Sequence, residues 1–156
     1  MIQLITYFLV LFPLFQQDTV QLRFEDFPIK VAFHGLPKGV DFTGSSDAKL
    51  YRTVLRNGAK KGPNFADHFT IVIWGCGTST QAFAIIDALS GKVYFCSELP
   101  FVSYADWHEN DYGLHFRKDS NLLIANGHIK EDDPKGRFYF LWKVNKLKLI
   151  KSISVK

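Results

Sequence analysis

The hydrophobic pattern changes period along the chain, and its first clear segment predicts a helix. Apolar side chains recur at helical spacing at Leu50, Val54 and Leu55. Either Ser45 or Ser46 can cap the N-terminus of such a helix, and Gly58 is suited to end it. We therefore predict one main helix near residues 46–57.

After this helix the pattern is typical of β-strands. Residues 68–74 form a nearly uninterrupted apolar run, which predicts a strand buried on both faces. Residues 81–95 predict two strands joined by a short turn, and residues 113–129 and 136–155 predict two further hairpins. The predicted fold class is α+β, an antiparallel β-sheet meander of several hairpins with one helix, in a single domain at 18–156.

The last hairpin is regular enough to predict its register. If Val144 lies opposite Leu147, then Trp142 lies opposite Leu149 on an apolar face, while the other face carries several lysines. A half-solvated antiparallel sheet has this division between its faces. We therefore expect Trp142 to be buried.

The first fifteen residues, MIQLITYFLVLFPLF, carry no charge and are nearly all apolar. As a helix at about 1.5 Å per residue they span roughly 20 Å, which is shorter than the ~30 Å hydrocarbon core of a bilayer. This pattern is typical of a secretory signal peptide, which we predict at residues 1–17. The expected location is periplasmic or secreted, with an uncleaved N-terminal anchor or a buried N-terminal strand as alternatives.

The composition excludes some functions. A chain of 156 residues, 47% of them apolar, can form one globular core. The formal net charge of +4 is small and its charges are scattered, so nucleic acid is not a predicted partner. The sequence contains no complete cofactor-binding motif, so no cofactor is predicted. We expect no membrane span once the signal peptide has been removed.

Candidate chemistry is concentrated in the stretch WGCGTSTQ at residues 74–81 and in the polar segment just before it. Aromatic and hydroxyl or amide side chains around one turn can form the rim of a ligand pocket. The candidate binding residues are Asn64, His68, Trp74, Thr78 and Gln81. Each also has a structural interpretation: Asn64 as a turn residue, His68 as a strand start bonded to backbone, and Trp74 as core packing.

The two cysteines, Cys76 and Cys96, are candidates for a disulfide because cysteines of exported proteins usually pair. Closing this loop of about twenty residues would stabilise the fold by roughly 3 kcal/mol. In a simple meander, however, the strand at 81–87 separates them, and two strand spacings exceed the Cα limit of about 7 Å. A disulfide and two free thiols both remain open.

Cys76 is also a candidate nucleophile, which would require a nearby base. His68 lies about 20 Å from Cys76 along an extended strand, so the base would have to come from elsewhere in the fold. The histidines that the fold could bring to Cys76 are His34, His108, His115 and His128. A simpler interpretation is that the glycines flanking Cys76 form a tight turn.

A second polar cluster, YADWHENDYGLH at residues 104–115, mixes carboxylates and imidazoles. Its members are Asp106, His108, Glu109, Asp111 and His115. Such a mixture suits a divalent metal, but the spacing matches neither an EF-hand loop nor a helical H-E-x-x-H motif. A solvated loop is the favoured interpretation, and no metal site is predicted.

Residues 62–94 carry a resemblance in the stretch GPNFADHFTIVIWGCGTSTQAFAIIDALSGKVY. This stretch resembles a family of small, exported, largely uncharacterised bacterial proteins with the pattern N-F-A-x-H, W-G-C-G-T, Gln and D-x-x-(S/T)-G-K-V. The resemblance implies an envelope location and brings no established activity. Asp67 stands where the family pattern has glycine, and Asp tolerates the positive φ of such a bend. Thr80 stands where many members have a second cysteine, so that local pairing is not possible here.

The expected function is that of an exported envelope protein that acts as a non-enzymatic binding or interaction module, with an unknown protein or small ligand as its partner. The turn at 75–80 and the segment 64–68 are the expected binding surface. Two alternatives stay open: a thiol-dependent hydrolase or transferase that uses Cys76 with a histidine, and an inhibitor of a secreted enzyme that presents GCGTST as a rigid loop.

Overall fold

The computed structural model describes residues 20–131 and 133–155, and this part of the chain consists mainly of two antiparallel β-sheets. The first sheet contains β1 (Phe69–Gly75), β2 (Thr80–Asp87), β3 (Val93–Tyr94) and β4 (Val102–Ser103). The second contains β5 (Gly113–Phe116), β6 (Leu122–Gly127), β7 (Gly136–Lys143) and β8 (Lys146–Ser154). The predicted signal peptide at 1–17 lies outside the described residues.

The strand order confirms the prediction of antiparallel hairpins and divides them between the two sheets. In the first sheet β1 pairs with one edge of β2, while β3 and β4 pair with different parts of the other edge. The second sheet is a simple meander in the order β5-β6-β7-β8. Among the described residues one β-bridge joins the sheets, in which the N–H groups of Ser103 and His128 each donate to the other residue's carbonyl at 2.9 and 2.7 Å.

The main core lies between the two sheets. Alternate residues of β7, among them Phe140 and Trp142, pack with Phe83 and other apolar residues of the first sheet. The opposite face of the first sheet packs against the helices in a second, smaller cluster. As predicted, β1 is buried on both faces, because Ile71 and Val72 point in opposite directions and are only 4% and 5% exposed.

The predicted single helix is two short helices, α1 (Ser46–Leu50) and α2 (Arg52–Ala59), which meet at Tyr51. Tyr51 leaves the helical conformation, with φ −94° and ψ 20°. Ser45 caps α1, since its hydroxyl accepts the N–H of Ala48 at 3.3 Å.

Gly58, which we expected to end the helix, lies inside α2 instead. A Cβ at this position would approach Val72 Cγ2 to 2.4 Å. The sequence therefore has glycine at residue 58 because α2 lies close against β1, and not because the helix ends there.

The predicted register of the last hairpin is wrong by two residues. Val144 and Asn145 have positive φ values of 51° and 57° and form the two-residue turn, so Trp142 pairs with Leu147 and not with Leu149. Trp142 and Leu147 are buried, whereas Leu149 is 45% exposed. A β-branched valine at positive φ is rare, which is why the sequence pattern did not identify this turn.

Candidate binding pocket beside Trp74

Asn64 is a structural residue of the hairpin that precedes β1. Its side-chain amide donates to the carbonyl of Ile71 at 3.0 Å and accepts the N–H of the same residue at 2.8 Å. Phe65 and Phe69 close the hairpin by exchanging backbone hydrogen bonds at 3.0 Å. Asp67 has a φ of 70°, a backbone conformation that aspartate tolerates better than most residues.

His68 lies between two carboxylates at the end of this hairpin. Its Nδ1 is 3.2 Å from Asp67 Oδ2, and its Nε2 is 3.7 Å from Asp87 Oδ1. Asp67 Oδ1 also accepts the backbone N–H groups of Ala32 and Phe33, both at 2.7 Å. Burial acts to raise the pKa of the Asp67 carboxyl, but these hydrogen bonds and His68 together hold it below its usual value of 3.8.

The carboxylate oxygens of Asp87 accept hydrogen bonds within the turn after β2. Oδ1 accepts the N–H of Leu89 at 2.8 Å, and Oδ2 accepts the hydroxyl of Ser90 at 2.6 Å. His68 therefore connects two carboxylates that each organise a loop. The His68 side chain is half-buried. Its ring is tilted by 34° against the ring of Phe69, with 4.3 Å between the centroids.

The turn 75–80 is an exposed loop between β1 and β2. The N–H of Cys76 donates to the carbonyl of Thr80 at 3.1 Å, and Gly77 and Ser79 take positive φ values of 143° and 51°. Cys76 and Thr78 both project from the exposed part of this turn. The glycine-flanked cysteine thus belongs to a tight turn, as the simpler interpretation of the sequence expected.

The predicted disulfide is not present, and Cys76 and Cys96 are both free. Cys76 is exposed on the turn, whereas Cys96 is buried just after β3. Burial, with a smaller contribution from Glu98, raises the pKa of the Cys96 thiol to about 12. Of the two possibilities that the sequence left open, the structure has the two free thiols.

Cys76 and His128 share a cavity but stand well apart. The ladder places Cys76, Thr80, Ser103 and His128 in one row across four neighbouring segments, and these residues line a cavity of about 480 Å³. Three strand spacings of the ladder separate the positions of Cys76 and His128. His128 Nδ1 lies 2.9 Å from the carbonyl oxygen of Asp133, and no hydrogen bond joins this ring to Cys76 among the described residues, so the row holds no formed Cys–His pair.

Trp74 lines a different cavity, which lies between the helices and the first sheet. This cavity has a volume of about 400 Å³, and we call it the Trp74 pocket. Trp74 packs on Tyr51 with 4.6 Å between ring centroids and meets the ring of Phe95 edge-on at 6.5 Å. Leu50, on the same rim, is 74% exposed. The pocket therefore has aromatic walls and an apolar rim.

The indole N–H of Trp74 is the unusual group of this pocket. Nε1 is fully buried, yet no residue in the described part of the chain accepts a hydrogen bond from it. An amide-like donor left buried without a partner costs about 1–3 kcal/mol, so native proteins rarely retain one. Trp107, by contrast, donates from its indole to Asp111 at 3.0 Å.

Local sequence explains how the Trp74 pocket forms. Trp74 pairs across the ladder with Ala82, whose small side chain leaves space beside the indole. The helix break at Tyr51 places the phenol ring over Trp74. Sequence reasoning missed Tyr51 and Phe95 as pocket residues. The only signal for Tyr51 was its position beside the apolar stripe of the helix.

The structure does not bring the five predicted binding residues together. Asn64 and His68 lie at one end of β1, while Trp74 and Thr78 lie toward the other. Gln81 points into the space between the two sheets, where a Cβ on Gly113 would lie 2.7 Å from Gln81 Oε1. This oxygen is buried and has no donor within the described residues, but Gln81 does not line the Trp74 pocket.

The acidic and histidine-rich segment 104–115 is occupied by internal contacts. Asp111 accepts hydrogen bonds from Trp107 and from Arg137, and its carbonyl is 2.8 Å from His115 Nε2. Arg137 also donates to Asn126 Oδ1 at 3.1 Å. Over residues 20–131 and 133–155, no three His, Cys, Asp or Glu side chains are grouped so that they could hold a metal ion.

This chain has no detectable similarity to known proteins in three comparisons. No protein-family model matches this chain, and neither a curated protein nor a solved structure is significantly similar to it. Within the part of the chain that the structure describes, no helix is long and apolar enough to cross a membrane.

Proposed function

We propose that this protein is an exported α+β binding module of the bacterial envelope, without catalytic activity, whose ligand occupies the Trp74 pocket. The observation that carries this proposal is the indole N–H of Trp74, which is buried without an acceptor in the described residues and belongs to a residue that lines an open cavity. A ligand that brings an acceptor to Nε1 would remove the cost of this unpaired donor.

The lining of the pocket indicates the chemistry of the ligand. Tyr51, Trp74 and Phe95 offer aromatic faces and edges, which favour an aromatic or branched aliphatic group. A cavity of about 400 Å³ is within the range of small-molecule sites. The proposed ligand therefore combines one apolar group with a hydrogen-bond acceptor, such as a carbonyl oxygen.

Two further parts of the proposal depend on the sequence. Export is supported by the uncharged apolar residues 1–15, and the envelope location also by the resemblance of residues 62–94 to exported bacterial proteins. The alternative of a thiol-dependent enzyme is less well supported, because three strand spacings of the ladder separate Cys76 from His128, and the His128 ring lies 2.9 Å from the carbonyl oxygen of Asp133.

A binding experiment with paired variants tests the proposal. A panel of small aromatic amides and ketones is titrated against the wild type, Trp74→Phe and Trp107→Phe, and binding is followed by calorimetry. We expect a panel member to bind the wild type and Trp107→Phe equally, and to bind Trp74→Phe about tenfold more weakly, because that variant keeps an aromatic ring, though a smaller one, but loses the indole donor. If no panel member binds, or if both variants lose affinity equally, the proposal fails.

A further inference from the structure

The edge of β2 beside the Trp74 pocket has a gap in its pairing. β3 pairs with Ile85 and Ile86 of β2, and β4 pairs with Thr80 and Gln81. The connecting segment 95–101 leaves the sheet between these two short strands. Ala82, Phe83 and Ala84 therefore have no partner strand on this edge within the described residues.

The hydrogen-bond alternation of an antiparallel ladder shows which backbone groups face the gap. Thr80 accepts from Cys76, and Ala88 donates to His68, so the even-numbered residues of β2 bond toward β1. The odd-numbered residues then bond toward the other edge, as Asp87 does when it donates to Lys92 at 2.9 Å. Phe83 is the odd-numbered residue in the gap.

Phe83 therefore directs both its N–H and its C=O toward the gap. No backbone hydrogen bond to either group from segment 95–101 is found in the described chain, although Phe83 is only 3% exposed. Phe83, Phe95 and Cys96 line the Trp74 pocket together with Trp74. The unpaired edge of β2 at Phe83 thus lies beside a pocket with aromatic walls, which is the arrangement that an added peptide strand can use.

The charge on the rim is negative. Asp47 lines the pocket from α1, and Ser97 lines it from the other side. A ligand with a positive charge beside its apolar group would match the Asp47 carboxylate.

We propose that the occupant of the Trp74 pocket is an extended peptide segment of a partner protein, which fills the gap in the sheet by pairing antiparallel with Phe83. This inference rests on the proposed function. The peptide residue paired with Phe83 points to the same face of the sheet as Phe83. This face is the packed main core between the sheets, so we expect that residue to be small. The next residue lies opposite Ala82 and points to the helix side, where an aromatic side chain contacts Tyr51 and Trp74, and a basic residue precedes the small one and matches Asp47.

The test uses the peptide N-acetyl-Lys-Ala-Phe-methylamide and two N-methylated forms of it with the full-length ¹⁵N-labelled protein. Methylation of the alanine nitrogen removes the donor to the Phe83 carbonyl. Methylation of the phenylalanine nitrogen alters an N–H that points away from β2, and serves as the matched control. We expect the first to weaken binding about tenfold and the second to change it less than about twofold.

The amide signal of Phe83 supplies a second measurement. We expect the unmodified peptide to shift this signal and to slow its hydrogen exchange, together with a shift of the Trp74 indole signal. Equal weakening by both methylations, or an unchanged Phe83 signal, would overturn the peptide inference. In that case, binding of the aromatic amides to the Trp74 pocket would show that the proposed function still stands. If the aromatic amides do not bind either, both the peptide inference and the proposed function are contradicted.

Discussion

Tyr51 and Trp74 lie 4.6 Å apart between ring centroids, with their planes tilted by 35°. The contact joins the break between the two helices to the end of β1 that leads into the turn 75–80. The same contact forms one wall of the Trp74 pocket, so the conformation at Tyr51 determines whether the indole is covered. A local break in a short helix thereby produces the proposed binding site.

The two thiols should differ strongly in reactivity. In native, non-reduced protein we expect 5,5′-dithiobis(2-nitrobenzoate) to label Cys76 within minutes, because its side chain is exposed, and to label Cys96 only after unfolding. Burial and the raised pKa of about 12 keep the Cys96 thiol unreactive at neutral pH. Native protein without any titratable thiol would instead indicate the disulfide that the structure lacks.

Acid should destabilise the protein partly through Asp67. The pKa of this carboxyl is lower in the folded state than its usual value of 3.8, so the ionised form stabilises the fold above that value. This contribution is lost as the pH falls through the folded-state pKa. We expect the Asp67→Asn variant to be less stable at pH 7 and to lose less stability than the wild type below about pH 4. Urea denaturation at a series of pH values measures both effects, and parallel curves for the two proteins would contradict the assignment.

Gly58→Ala should destabilise the protein although alanine is the better helix former. The new Cβ would meet Val72 Cγ2 at 2.4 Å, and overpacking of this kind costs about 1–3 kcal/mol. Because the conflict is with Val72, the double variant Gly58→Ala with Val72→Ala should lose less than the sum of the single changes. Gly75→Ala, where a Cβ would meet nothing within 4 Å, is the control. Additive losses in the double variant would show that the two positions do not touch.

Trp142 should be the most sensitive residue of the last hairpin. Its ring contacts Phe69 at 5.2 Å and Tyr94 at 5.7 Å between centroids, and it is only 5% exposed. We expect Trp142→Ala to cost about 3–5 kcal/mol in the free energy of unfolding, and the exposed Lys148→Ala to change it by less than about 0.5 kcal/mol. Equal losses in urea denaturation would mean that the inner face of this sheet has been assigned incorrectly.

Local pattern predicted the strands but not how the two sheets are arranged. Alternation within residues 81–95, 113–129 and 136–155 is a short-range property, and each of these segments contains a hairpin or paired strands as expected. The turn at Val144 and Asn145 was misplaced because the chain there adopts positive φ without the usual glycine. The division into two sheets depends on long-range pairing such as that of Ser103 with His128, which no local pattern encodes.

The candidate site was predicted only in part, and for a similar reason. Trp74 was identified from its place beside the turn, but its partners Tyr51 and Phe95 are brought to it by the fold. Asn64 and His68 were singled out for their polarity, and the structure shows that their hydrogen-bonding groups are used within the hairpin and its neighbouring loop. Polar character alone does not separate a structural network from a binding site.

We expect the Trp74 indole N–H to be available to a hydrogen-bond acceptor of a ligand. The NMR signal of this N–H group measures that directly. Titration of the ¹⁵N-labelled protein with the aromatic amide panel should move the Trp74 indole signal downfield. The Trp107 signal should stay in place, because its donor is already bonded to Asp111. If saturating concentrations of every panel member leave the Trp74 signal unmoved, or if the free protein already shows it strongly hydrogen-bonded, the account of this pocket is contradicted.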